Sequence, residues 1–274
     1  MTYYAYKSLK LSSPNEVVVE MDDFLVNDIG GWTRHFTVSD TTANRDYVWS
    51  SPGESVDRDT IYIRARWQNS IVYFYGYTSF TDASTHTGAL YHSTYTRCPV
   101  TTGAAWCWMM GNKDFVNLFV MDGAVIYQNY LGFIHSYYLP ETDPCPLLIK
   151  GQYNTTSYWT TAPRQLMHSG HDGSAQYVRI WINYSHFYEW DSGLDSERVL
   201  LLPVILHNYT NPHREVRGEP FGVFIGNGDR LSRRGIVQHG GNHYLSLFSG
   251  ESYVYGPISS DVTHLFKECL HLPS

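Results

Sequence analysis

Residues 60–78 read Thr60-Ile61-Tyr62-Ile63-Arg64-Ala65-Arg66-Trp67-Gln68-Asn69-Ser70-Ile71-Val72-Tyr73-Phe74-Tyr75-Gly76-Tyr77-Thr78. In the first half Ile61, Ile63, Ala65 and Trp67 alternate with Tyr62, Arg64, Arg66 and Gln68, the period of two that marks a half-buried strand. The second half alternates too, with Tyr73 and Tyr75 on one face and Val72, Phe74 and Gly76 on the other. Only Asn69-Ser70 lies between the two runs, so the spacing predicts a tight hairpin.

The same signal recurs along the chain. Residues 115–121 and 124–130 flank Asp122-Gly123, a dipeptide that tolerates the positive φ angles of a type I′ turn. Val178, Ile180 and Ile182 alternate with Arg179, Trp181 and Asn183. Residues 199–206 form a continuous apolar run, which predicts a strand covered on both faces despite Pro203. Helical periodicity is nearly absent. Its one candidate is residues 259–270, where Val262, Leu265, Phe266 and Leu270 share a face after a Ser/Asp cap.

Many short strands separated by Gly, Pro, Asn and Asp turns predict an all-β protein: an antiparallel β-sandwich or barrel-like architecture with long loops and at most a short C-terminal helix. Residues 78–102 are rich in Ser, Thr, Gly and His and predict a long loop or an internal boundary. The organisation expected is an N-terminal β region over 1–80, a loop-rich connection over 81–102 and a main β-sandwich region over 103–274, or one continuous β domain. A second irregular stretch covers 152–173.

Composition excludes several classes. The chain has 274 residues, 43% of them hydrophobic, which is ample for a core. Only 16% are charged, below the roughly 25% of an average globular protein. Aromatic residues are abundant: 23 Tyr, 12 Phe and 8 Trp. Tyr and Trp combine an apolar body with a polar tip, which suits both half-buried sheets and protein interfaces. The net charge is −7 with no basic stripe, and Arg230, Arg233 and Arg234 form the one tight basic cluster, so nucleic acid is not an expected partner. No apolar stretch approaches the ~20 residues that span a bilayer, and the start of the chain shows no export signal. Cys98, Cys107, Cys145 and Cys269 have no pairing pattern and are expected to be free thiols of a protein made in a cytoplasm. Sequons at Asn154, Asn183 and Asn208 are a by-product of a Ser/Thr-rich chain.

The search for chemistry is negative. His168 with His171, and His239 with His243, have spacings that metal sites use, but i,i+4 ligation needs a helix and Gly240-Gly241 opposes one. Ser249 lacks the preceding glycine of a nucleophile elbow. Cys107, between Trp106 and Trp108, reads as a core strand residue. Glu189, Asp191, Asp195 and Glu197 cluster near Tyr188 and Trp190, a composition that glycosidases share with ordinary acidic loops. Gly222, Gly226 and Gly228 lack the Lys-Ser/Thr of a phosphate loop and read as a turn between strands. No catalytic, cofactor-binding or metal-binding residue is assigned, and the chain is expected not to be an enzyme.

One ordered set of segments resembles known proteins. Asn44-Arg45-Asp46-Tyr47-Val48-Trp49-Ser50-Ser51-Pro52-Gly53, followed by Asp59-Thr60-Ile61-Tyr62-Ile63-Arg64-Ala65-Arg66, is similar to a pattern found in structural proteins of tailed-bacteriophage virions. The similarity resumes over 115–123, at Tyr130-Leu131-Gly132-Phe133 and Tyr137-Tyr138-Leu139-Pro140, and at Pro144-Cys145-Pro146-Leu147-Leu148-Ile149-Lys150-Gly151. It returns at Leu201-Leu202-Pro203-Val204 and Gly218-Glu219-Pro220-Phe221-Gly222-Val223. Two departures stand out: Cys145 replaces a tyrosine, and Ile149-Lys150-Gly151 replaces an Ile-Gly-Gly turn. The resemblance covers about half the chain and implies a non-enzymatic virion component, of the tail or baseplate over the neck or capsid decoration. Its expected partners are other virion proteins in a symmetric assembly, and its expected place is the virion. The alternative readings are a glycan-binding β-sandwich module for host recognition, or a polysaccharide hydrolase using residues 189–197.

Overall fold

The computed structural model describes residues 4–55, 57–87, 95–101, 103–123, 125–139, 141–143, 145–151, 166–168, 175–180, 202–203, 205–208, 216–227, 235–239, 242–246 and 266–272. In chain order the elements are β1 (Ala5–Lys10), α1 (Glu16–Asp23, continuing as a wider helical turn over Phe24–Ile29), β2 (Thr33–Thr41), β3 (Asn44–Ser51), β4 (Ile61–Gln68), β5 (Ile71–Tyr77), β6 (Ser79–Phe80), β7 (His86–Thr87) and β8 (Thr96–Pro99). Then come β9 (Trp106–Gly111), β10 (Phe115–Asp122), β11 (Val125–Ser136), β12 (Leu147–Lys150), β13 (Leu166–His168), β14 (Ala175–Ile180), β15 (Leu202–Pro203) and β16 (Leu206–Asn208). The last five are β17 (Val216–Pro220), β18 (Val223–Asn227), β19 (Gly235–His239), β20 (Asn242–Ser246) and β21 (Phe266–Leu272).

The all-β expectation holds, and antiparallel sheets pack face to face. One sheet has the order β2-β3-β4-β5-β8. Its inner face is the one read from the sequence: Ile61, Ile63, Ala65 and Trp67 on β4 and Val72 and Phe74 on β5 are buried. They meet Cys107 and Met109 of β9, Val116, Leu118 and Val120 of β10, Leu131 and Phe133 of β11 and Leu147 and Ile149 of β12 in one core. The sheets come close at Gly76, where a Cβ would stand 2.6 Å from the Ile149 side chain and 2.9 Å from that of Leu147, so no larger residue fits without displacing these side chains.

The second sheet has nine strands in the order β1-β9-β10-β11-β12-β13-β14-β16-β17. It closes on itself through β11. Phe115 opposes Gly132 at the end of the β10–β11 ladder, and Ile134, His135 and Ser136 then pair with Pro220, Glu219 and Gly218 of β17. The amide of Phe133 points to Asp114, that of Ile134 to Pro146 beside β12, and that of Tyr137 back to Arg217. β17 therefore takes over the edge that β10 leaves, and β11, β12, β13, β14, β16 and β17 form a ring of paired strands. The third sheet, β15-β18-β21-β20-β19, lies in the last third of the chain. Pairing also crosses the segments read from the sequence: β1 joins the sheet of β9, and β8, inside the loop-rich 81–102, joins that of β5.

Three expectations are corrected. Residues 266–270 of the expected terminal helix belong to strand β21, paired on both sides, while 259–265 lie outside the described residues. The helix among the described residues is α1 instead. Its Val17-Val18-Val19 run suits a strand by propensity, but Ser13-Pro14-Asn15-Glu16 spells a capping box. The Glu16 carboxylate accepts from the amides of Ser12 and Ser13 at 2.8 and 3.3 Å. These bonds and that from the Ser12 hydroxyl hold the carboxyl below its ordinary range. Val17, Val18 and Met21 then enter the sandwich core. The third correction concerns the apolar run 199–206. It divides between β15 and β16 in different sheets, and Pro203, lacking an N–H, sits on a sheet-edge strand as its chemistry requires.

Both predicted hairpins form. Gln68 opposes Ile71, and Asn69 and Ser70 have φ of 54° and 61°, the left-handed pair of a type I′ turn. In the other, Asp122 pairs with Val125, so the turn begins one residue later than expected, at Gly123 with φ of 64°. The Asp122 carboxylate is held at 2.6 Å by the amide and hydroxyl of Thr101, which keeps that residue in the ladder. Serine carries a steric cost in the left-handed region that glycine does not. Ser70→Gly should therefore raise stability by about 0.5–1 kcal/mol, read as a higher urea midpoint at unchanged m-value.

Candidate functional site

The face of the β2-β3-β4-β5-β8 sheet that points away from the core carries the alternate residues of each strand. Arg66 opposes Asp46 on one side and Tyr73 on the other, and Tyr73 in turn opposes Arg97 of β8. In the next row Val48, Arg64 and Tyr75 lie side by side. Guanidinium and phenol groups thus alternate across the sheet, three arginines to one carboxylate.

That carboxylate is engaged. Arg64 grips Asp46 in a fork, Nε to Oδ1 at 2.7 Å and Nη2 to Oδ2 at 2.6 Å, while Arg66 Nε stands 3.9 Å from Oδ2. Half-burial works against the Arg64 charge, but the Asp46 contacts outweigh it and hold Arg64 even more firmly protonated. Its guanidinium also lies 5.8 Å from the Tyr75 ring centre. Burial pushes the Tyr75 phenol up to about 12.

The chain covers one end of this face itself. The β6–β7 hairpin lays Phe80 and His86 over Tyr77, with ring centres 5.4 and 4.5 Å away. Val48, Tyr77 and Phe80 become a small buried cluster. At the other end Arg66, Tyr73, Tyr95 and Arg97 are half-buried, with Tyr73 edge-on to Tyr95 at 4.9 Å.

Two further features present side chains outward. Trp106 and Trp108 on β9 lie nearly parallel, 20° apart with ring centres 6.2 Å apart, and Trp106 is 39% exposed. After β11 the chain displays Tyr137 and Leu139, 51% and 70% exposed. This loop is anchored from beneath, where Arg217 Nη2 meets Asp143 Oδ2 at 3.3 Å with both side chains fully buried. Ser136 donates to the same oxygen at 2.6 Å, and the Arg217 guanidinium sits 4.4 Å from the Tyr138 ring centre.

The residues weighed for catalysis fall as follows. Glu189, Asp191, Asp195, Glu197, His171 and Ser249 lie outside the described residues, as does the arginine cluster at 230–234. His168 is the last residue of β13, and His239 and His243 occupy the two strands of a hairpin rather than one helical turn. Among the described residues no group of three or more His, Cys, Asp or Glu side chains is placed to hold a metal ion, and no helix is long and apolar enough to cross a membrane. Cys98, Cys107 and Cys145 are buried thiols, and burial pushes all three up, opposite to the shift a nucleophile needs. Cys269 lies on β21.

The alternation in 60–78 already set Tyr62, Arg64 and Arg66 on one face. It did not reveal Tyr95 and Arg97, because 78–102 carries no strand-like run longer than β8. A scan against protein-family models and a search of curated proteins find no match to this chain.

At pH 8 the three core thiols should resist iodoacetamide in the native protein and react fully in urea. A raised folded pKa adds stability below the ordinary thiol value of ~8.5, and that contribution drains as pH climbs above it. Asp143→Ala, which strands the buried Arg217 charge, should cost about 3–5 kcal/mol in a denaturant titration.

Proposed function

We propose that this chain is a non-enzymatic structural component of a tailed-bacteriophage virion, of the tail or baseplate, acting through protein–protein assembly. The observation that carries this reading is the outer sheet face, where Arg66, Tyr73, Tyr95 and Arg97 stand half-buried side by side. Tyr and Arg are the residues that dominate interface energetics, and they work best when a partner completes their desolvation. The anchored loop bearing Tyr137 and Leu139 supports the same reading, because a buried ion pair beneath it pre-organises exposed apolar side chains. The ordered resemblance to virion proteins supplies the biological setting.

Glycan binding is the competing reading, and the exposed Trp106 ring, backed by the near-parallel buried Trp108, is the feature that favours it, since flat rings serve as sugar platforms. A glycan array separates the two: an assembly subunit gives no signal, whereas a glycan module gives one that Trp106→Ala abolishes. The assembly role is tested by quantitative mass spectrometry of purified virions, in which the chain should appear in a fixed ratio to the other tail proteins. Abundance in infected cells with absence from particles would overturn it.

A further inference from the structure

We propose that the sandwich core contains a binding site for one buried water molecule, which ties the two sheets together through Asn129 of β11 and Thr96 of β8 beside Gly151. The inference goes beyond the assembly role and does not depend on it.

Both side chains point inward. Residues directly opposite in an antiparallel ladder share a face. Asn129 opposes Leu118 and Thr96 opposes Phe74, and these two partners belong to the hydrophobic core between the sheets. Asn129 and Thr96 are themselves wholly buried. The Asn129 Oδ1 and Nδ2 and the Thr96 Oγ1 have no hydrogen-bond partner within the protein. An amide and a hydroxyl among apolar side chains are costly to leave unpaired, and protein cores answer such groups with a protein partner or with ordered water.

Gly151 brings the two groups to one place. A Cβ there would stand 2.0 Å from Asn129 Oδ1 and 3.1 Å from Thr96 Cβ, which puts these two atoms within about 5 Å of each other across the sheets. Asn129 therefore occupies space that any side chain at 151 would fill. The two groups are close yet not bonded to each other, a separation that one water spans with two hydrogen bonds. The chemistry selects this ligand. Asn129 offers an acceptor oxygen and two amide hydrogens, and Thr96 both donates and accepts. Neither side chain carries a charge to compensate an ion, and an anion would leave Oδ1 unanswered. Water donates and accepts at once and is held by roughly two to four such partners. Complete burial sets the size, because a site closed from solvent holds a single small molecule. The contact fastens β8, the last strand of its sheet, to β11 of the other.

Magnetic relaxation dispersion of water oxygen nuclei counts long-lived internal waters and tests the site on the full chain. Thr96→Val combined with Asn129→Leu removes both polar groups at nearly constant volume and should remove one long-lived water relative to the wild type. Thr96→Ser keeps the hydroxyl and should keep the water. Gly151→Ala should release it, because the new methyl group takes the place of the Asn129 oxygen. Where circular dichroism shows that Asn129→Leu does not fold, Thr96→Ser and Thr96→Val carry the test, the water staying in the first and leaving in the second. Urea titrations add an independent reading. Thr96→Val or Asn129→Leu alone strands the other group and should lower the midpoint, and the double variant should fall by less than the two singles combined. A direct Asn129–Thr96 hydrogen bond would give the same coupling with no lost water, and would overturn the inference. A double variant with the wild-type water count, a Thr96→Ser chain that loses the water, or stability costs that simply add would overturn it as well.

Discussion

The Asp114 carboxylate joins parts of the chain that the sequence keeps far apart. It accepts from the Glu54 amide at 2.9 Å and from Arg58 at 3.4 Å, while the residue's own carbonyl accepts from Phe133 at 2.8 Å. The backbone amide of Asp114 donates to the Asn112 side-chain oxygen at 2.9 Å, which fixes the residue in place. The connection between β3 and β4 is thereby bound to the opposite sheet. Gly53 permits this: its φ is 74°, and a Cβ there would stand 2.8 Å from the Phe133 ring and 2.9 Å from the Asp114 carboxylate. Arg58 extends the junction, lying over Phe133 at 5.2 Å and Phe221 at 5.5 Å, and Tyr130 accepts the Phe221 amide at 3.0 Å. Three of the segments that carry the virion-protein resemblance, around Gly53, Phe133 and Phe221, meet here.

What could be read from the sequence was whatever is local. The β4–β5 hairpin was legible because a period of two and a two-residue turn are settled within eighteen residues, and burial follows the alternation along β4 and along β5 as far as Gly76. The errors arose where long-range pairing overrides local preference. Phe266, Glu268, Leu270 and Leu272 also alternate, but a short apolar stretch fits a helical face as readily, and the partners that decide it, β18 and β20, are far from it in sequence. At α1 the reverse happened: three β-branched valines obscured a helix that Ser13 and Glu16 begin and the core retains.

The candidate surface was half legible for the same reason. Alternation gave the faces of β4 and β5, hence Arg64, Arg66, Tyr73 and Tyr75. It could not say that β6 and β7 would cover Tyr77, nor that β8 would set Arg97 beside Tyr73. The buried Arg217–Asp143 pair left no mark at all, since its members are separated by 74 positions and each sits in a polar segment.

The position of β1 has a consequence for the order in which the molecule is made. Its partner β9 lies roughly a hundred residues downstream, a separation that makes ladder closure slow. The β2–β5 meander can form from the ribosome as it emerges, each strand meeting the one just made. Ala5–Lys10 must meanwhile wait, held near α1 by Lys7, until Trp106–Gly111 arrives. β1 is therefore made before β2 to β8 yet is among the late strands to be seated in its sheet, and a nascent chain stalled before β9 carries it unpaired, open to pairing with a neighbour on the same message.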